Sequence, residues 1–219
     1  MKNLANQFGA QRLRQLLASE PLQLERKRRQ ATFSPSLAYG RHACAPLPTA
    51  KPAAVMIMLE PRDGVWTIPL TVRPKHLPDH PGQISLPGGR IENEETAEQA
   101  AVREFCEELG LAQFPGTIVG QLRPLYVYNS DYYVRPFLSI CDQRQQYQPC
   151  TREVEQLVHL PIDTIVSAST GTVGDFARGW ARWTARTFDH QGHIIWGATA
   201  MILGDLSAIL DAYLHAESN

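Results

Sequence analysis

The chain is short of cysteine, of surplus charge and of long apolar runs, and each shortage removes a class of protein. Its four cysteines, Cys44, Cys106, Cys141 and Cys150, form no CxxC pair and match no zinc spacing. They read as buried or incidental thiols. With 21 basic residues against 22 acidic ones the formal net charge is -1, so the excess cation that nonspecific nucleic-acid binding needs is missing. No uninterrupted apolar stretch approaches the roughly 18 to 20 residues that span a bilayer; Val55 to Leu59 and Ala198 to Leu203 are the longest candidates. The opening MKNLANQFGAQRLRQLL mixes polar and apolar residues at helical intervals without a leader pattern. The expectation is a cytoplasmic protein with neither a nucleic-acid nor a membrane partner. Internal repeats and low-complexity tracts are absent as well.

What is present is a composition that folds. The 219 residues are 43% hydrophobic and 20% charged, enough apolar surface to offset the entropy of ordering the chain. The length favours one domain with an appendage. Leu4, Phe8, Leu13, Leu16 and Leu17 recur at helical spacing ahead of the basic run Arg26 to Arg29. That run could meet an anionic ligand, but a solvated helix face is the favoured reading. Residues 31–51 carry Pro35, Pro46 and Pro48 and read as a connector. Residues 1–50 are therefore taken as a helical extension and connector, and 51–219 as the main domain.

Within the main domain, AAVMIMLE and VWTIPLTVR flank PRDG and predict a hairpin. GTIVGQLRPLYV, YYVRPFLSI and EQLVHLPI predict further strands. A helix is expected from about Thr96 to Leu109, and GATAMILGDLSAILDAYL predicts a long terminal helix. Helices need a sheet face to bury against, so the fold class is α+β, an α/β/α sandwich on a mixed sheet with an N-terminal helical extension.

The chemistry concentrates in GGRIENEETAEQAAVREFCEELGL. At about 100° per residue, Glu104, Glu107 and Glu108 stand at i, i+3 and i+4 and project from one helix face. Their repulsion costs a few tenths of a kcal/mol per pair at an exposed surface, which a bound divalent cation would reverse. Oxygen ligands without Cys or His suit Mg²⁺ or Mn²⁺. An acidic, merely solvated face is the alternative. Val102, Phe105, Cys106 and Leu109 form the opposing apolar stripe, and Ala97, Ala100 and Ala101 beside the carboxylates read as space for a ligand. Arg103 could fix a carboxylate through its planar fork. Pro87, Gly88 and Gly89 form a turn whose backbone can approach a ligand, and Thr96 with Gln99 fits a capping box ending at Gly110.

These residues resemble the Nudix hydrolases. Their box, G-x5-E-x7-R-E-U-x-E-E-x-G-U with U apolar, is met by Gly89, Glu95, Arg103, Glu104, Phe105, Glu107, Glu108, Gly110 and Leu111. Phe105 stands where a smaller aliphatic residue is commoner. The resemblance implies hydrolysis of a diphosphate linked to another group. It implies Glu104 and Glu108 as principal metal ligands, Glu107 as a third, Gly88 or Gly89 as a backbone contact and Arg103 as the orienter of Glu104. Many such enzymes place a catalytic base outside the box, for which Glu153 and Glu155 are candidates, with a surface pair as the alternative.

Upstream, LTVRPKHLPDHPGQISLPGG is similar to the signature of the coenzyme A pyrophosphatase branch, through Leu70, Thr71, Arg73, His80, Gly82, Ile84, Ser85, Pro87, Gly88 and Gly89. Leu86 replaces the usual Phe. IIWGATAMIL also looks like that branch. The implied reaction releases 3',5'-ADP and 4'-phosphopantetheine or its acyl derivative. Coenzyme A carries a further 3'-phosphate, so Arg73, Lys75, His76 and His80 are expected to offer it cations. Gln83 and Ser85 could bind phosphate or satisfy loop amides. An ADP-ribose or nucleoside-diphosphate-sugar pyrophosphatase and a non-catalytic binding module remain the rival readings, and a homodimer is left open.

Overall fold

The computed structural model describes residues 8–74, 82–167 and 171–215. Two helices, α1 (Ala10–Ala18) and α2 (Glu20–Thr32), and two short 3-10 turns lead into strand β1 (Lys51–Arg62). The hairpin expected around Asp63 and Gly64 forms, with β2 (Val65–Val72) returning antiparallel through a two-residue turn. Next come β3 (Ile84–Ser85), β4 (Gly88–Arg90), helix α3 (Ala97–Leu109), β5 (Thr117–Gln121), β6 (Leu125–Val127) and β7 (Tyr132–Ile140). Then β8 (Gln156–Pro161), the short helix α4 (Ile162–Ser167), β9 (Thr172–Arg178), β10 (Ala181–His190), β11 (His193–Ile195) and the terminal helix α5 (Gly197–His215) complete the chain.

The main sheet runs β3-β2-β1-β7-β5, with β8 on β2, β4 on β1 and β6 on β7. Pairing of β1 with β7 is parallel and the other pairings are antiparallel, so the sheet is mixed. Side chains alternate across a strand, and β1 buries both sets. Ala53, Ile57 and Leu59 enter one core with α5, while Ala54, Met56 and Met58 enter the other with Ala100, Ala101, Phe105 and Leu109 of α3. The result is the expected sandwich. β2 alternates differently: Trp66, Ile68, Leu70 and Val72 join the α5 core, which turns Thr67, Pro69 and Thr71 toward the α3 side.

Three expectations are corrected. The basic run is solvated only in part: Lys27 and Arg28 are exposed, but Arg26 is 2% exposed and makes a bidentate pair with the fully buried Asp205 of α5, at 2.7 and 3.0 Å. Arg29 bridges Glu25 and Asp211. Asp205 also accepts the Arg123 N–H, so the extension is clamped to the last helix by charges that could not be buried unpaired. Ala100 and Ala101 leave no room for a ligand, because both are fully buried and let α3 approach β1 closely, while Val102 and Cys106 are only partly buried. Finally, β9, β10 and β11 form a separate three-stranded sheet, of which only the IIWGATAMIL segment at its end was singled out above.

Among the described residues, α5 alone is long and apolar enough to cross a membrane. Most of that helix is buried in the core, packed against α1, α2 and α4.

Candidate active site

Helix α3 starts and stops by local chemistry. Thr96 accepts the Gln99 N–H and the Gln99 side chain accepts the Thr96 N–H, a complete capping box. At the other end Gly110 has φ 67, and a Cβ there would run into the Gln148 backbone. Between these stops, Phe105 is fully buried and packs edge-on against Phe114 and Tyr147. This is how the chain accommodates the large residue at a position where a smaller one was expected. Anchoring that face turns the carboxylates toward β2, β3 and β4.

The three carboxylates have different surroundings. Glu108 is 8% exposed; one of its oxygens lies 3.4 Å from the Gly88 N–H and the other 3.3 Å from the Thr71 hydroxyl. Burial, with the negative charges of Glu104 and Glu153, pushes its carboxyl up to about 7, against the opposing pull of Gly88 and Thr71. Glu104 is raised too, by burial and by the charges of Glu107 and Glu153, although Arg103 pulls the other way. Glu107 keeps a side chain 60% exposed and is held by Arg103 at 3.0 Å.

Arg103 organises the rest. It donates to both oxygens of Glu95 at 2.8 and 3.1 Å, to Glu104 at 2.9 Å, to Glu107, and to the Arg90 carbonyl. Those partners raise its own affinity for the proton, and it in turn holds Glu95 below the ordinary carboxylate range. The sequence reading cast Arg103 as the orienter of Glu104, and the contact is there. It assigned no task to Glu95, whose match to the box was the available signal.

Glycine is required beside Glu104 for a steric reason. A Cβ on Gly89 would overlap the Glu104 carboxylate, so that carboxylate keeps its place only against a bare backbone. β4 is itself held to β1 opposite Ala53, Ala54 and Val55.

The residues expected to bind substrate are divided. Arg73 and Gln83 face each other as the neck of a loop, with the Arg73 N–H bonded to the Gln83 carbonyl at 2.9 Å and the Gly82 N–H to the Arg73 carbonyl at 3.1 Å. Lys75, His76 and His80 lie outside the described residues. Of the two candidate bases, Glu153 has a charge felt by both Glu104 and Glu108, whereas Glu155 uses its N–H to hold the Val72 carbonyl. Thr71 and Ser85, matched in sequence without an assigned contact at the carboxylates, meet beside Glu108.

The donor set suits a hard divalent cation. Glu108 is buried and Glu104 half-buried, burial and neighbouring carboxylates raise the proton affinity of both, and a bound cation would relieve that situation. Among the described residues no three His, Cys, Asp or Glu side chains already converge as a metal cluster, and Glu107 is paired with Arg103.

Comparison with known proteins agrees with this arrangement. A family model described as the NUDIX domain matches residues 49–183. The chain is 32% identical over 154 residues to the mitochondrial coenzyme A diphosphatase NUDT8 of Homo sapiens, covering 68% of this chain and 65% of that protein. It is 34% identical over 111 residues to the peroxisomal coenzyme A diphosphatase NUDT7 of Mus musculus, covering 50% of this chain and 47% of that one. The matches thus span about two thirds and about half of these relatives. A solved MutT/nudix family protein from Enterococcus faecalis shares the fold with a TM-score of 0.50 at 14% identity, over 80% of this chain and 68% of that one. The chain belongs to the Nudix family and is a hydrolase of phosphorus-containing acid anhydrides.

Proposed function

We propose that this Nudix hydrolase cleaves the diphosphate of coenzyme A or its thioesters, giving 3',5'-ADP and 4'-phosphopantetheine or its acyl derivative. The observation that carries the reading is the buried Glu108 and half-buried Glu104, set beside the roots of the Arg73 to Gln83 loop. Glu104 and Glu108 would hold Mg²⁺ or Mn²⁺, with Glu107 as a third ligand once released by Arg103 and the backbone at Gly88 as a further contact. The ion would neutralise the diphosphate and lower the pKa of the attacking water. Water adds to one phosphorus, the bridging P–O bond breaks, and one proton leaves.

The chain's own residues supply position and selectivity. Arg103, anchored on Glu95, holds Glu104 in place while balancing its charge. Arg73 stands at the loop neck, where a guanidinium can take the 3'-phosphate bidentately, with Lys75, His80 and Gln83 as further substrate contacts. The signature residues and the named activities of the two curated relatives support this choice. The test is product analysis by mass spectrometry after incubation of coenzyme A with Mg²⁺ or Mn²⁺. Release of 3',5'-ADP and 4'-phosphopantetheine is expected, and intact coenzyme A beside hydrolysed ADP-ribose would move the assignment to the rival substrate. We place the enzyme in the cytoplasm.

A further inference from the structure

We propose that the hydroxyl pair of Thr71 and Ser85 is a positioning element that aims the Glu108 carboxylate at its divalent cation. This rests on the reading of Glu108 as a metal ligand and adds what holds that ligand in place.

Thr71 is 1% exposed near the C-terminal end of β2, between β3 and β8. A hydroxyl buried there costs free energy unless it finds partners, and valine would fill the same volume without that cost. The partners are specific. Thr71 Oγ1 lies 3.3 Å from Glu108 Oε2, 3.3 Å from Ser85 Oγ and 3.5 Å from the Ser85 carbonyl. A hydroxyl carries one proton and two lone pairs. If Thr71 gives its proton to Glu108, Ser85 can give its own to Thr71, and the two hydroxyls form a directed chain ending on the carboxylate.

The opposite carboxylate oxygen is met by the Gly88 N–H at 3.4 Å. One donor on each oxygen sets the plane of the carboxylate and leaves lone pairs on both oxygens for a cation. Groups that orient metal ligands in this way characteristically matter about tenfold to 100-fold for metal affinity. Placement in the fold adds a second consequence. Thr71 and Ser85 are direct cross-strand partners, each two residues from the Arg73 and Gln83 neck. The pair therefore ties both roots of the proposed substrate loop to the metal carboxylate.

The test is Mn²⁺ affinity of the full chain, read from the electron paramagnetic resonance signal of free Mn²⁺, with a thermal melt of each metal-free variant as a check of folding. Thr71→Val should raise the Kd roughly tenfold to 100-fold. Thr71→Ser should restore it to within about threefold of wild type. Ser85→Ala should raise it about twofold to tenfold, and the double variant Thr71→Val/Ser85→Ala should be no weaker than Thr71→Val alone, as for two members of one chain. Unchanged affinity in Thr71→Val, or a loss that Thr71→Ser fails to rescue, would overturn the proposal. If Thr71→Val does not fold, Ser85→Ala at its half-buried position decides, with wild-type affinity refuting the idea. Glu108→Gln serves as the separate control. If it leaves Mn²⁺ affinity intact, the metal reading of Glu108 itself is wrong; if it abolishes binding while Thr71→Val does not weaken it, only the positioning role is wrong.

Discussion

Replacing Glu108 with glutamine should produce a protein that is more stable without metal and almost inactive with it. The substitution keeps the shape of the side chain and removes its charge. A carboxyl held at about 7 in the folded protein, against an ordinary 4.5, opposes folding once it ionises. The sign follows from linkage: with the folded value above the unfolded one, the penalty is absent below pH 4.5, grows as the pH rises toward 7, and is complete above it. At about 1.4 kcal/mol for each pH unit between the two values, its ceiling is about 3.5 kcal/mol. For a chain of this size that is at most roughly 7 to 14 °C in Tm. In EDTA at pH 8, Glu108→Gln should therefore melt above wild type, and the difference should shrink as the pH falls toward 4.5. Added Mg²⁺ should raise the Tm of wild type and not that of the variant. With Mg²⁺ saturating, kcat should fall at least about 10²-fold, the scale of losing one preorganised electrostatic contact. A variant that melts at or below wild type at pH 8 in EDTA, or that retains wild-type kcat, would refute the reasoning.

Gly89→Ala should fold, because the atoms in its way are the mobile end of Glu104, but the displaced carboxylate should lower kcat about 10²-fold; wild-type kcat would show that Glu104 has slack. Arg26→Met leaves Asp205 buried without its guanidinium and should cost about 3 to 5 kcal/mol by urea denaturation, whereas an exposed pair would cost under about 1 kcal/mol. Arg73→Ala should lower kcat/KM for coenzyme A roughly tenfold to 150-fold while changing dephospho-coenzyme A much less. Equal losses on both would place Arg73 at the diphosphate or in the fold.

Local signals carried the active-site helix. Thr96, Gln99 and Gly110 specify where α3 begins and ends through contacts within a few residues, and the glutamate spacing follows from helix geometry alone. Long-range partners were invisible for the opposite reason. Nothing near Arg26 in the chain shows that it meets Asp205, 179 residues away, so a charged run in a helix read as solvated. Ala100 and Ala101 were misplaced because small residues suit both a ligand pocket and a close helix-to-sheet contact, and only the position of β1 decides between them. The hairpin of β9 and β10 escaped notice because one face, with Val173, Arg182 and Thr184, is exposed, and the other is carried by Gly174, Phe176, Trp183 and Ala185 without an aliphatic run. The task of Thr71 likewise needed the register of β2 against β3 and the approach of α3.

The most direct measurement is the ratio of kcat/KM for coenzyme A to that for ADP-ribose, taken with wild-type enzyme and saturating Mg²⁺. Both substrates offer the diphosphate that the carboxylate site would process, and only coenzyme A brings the 3'-phosphate to the loop beginning at Arg73. A charge-assisted contact to that phosphate makes a ratio above roughly 10 the expected result. A ratio at or below one would contradict the coenzyme A assignment while leaving the Nudix chemistry in place.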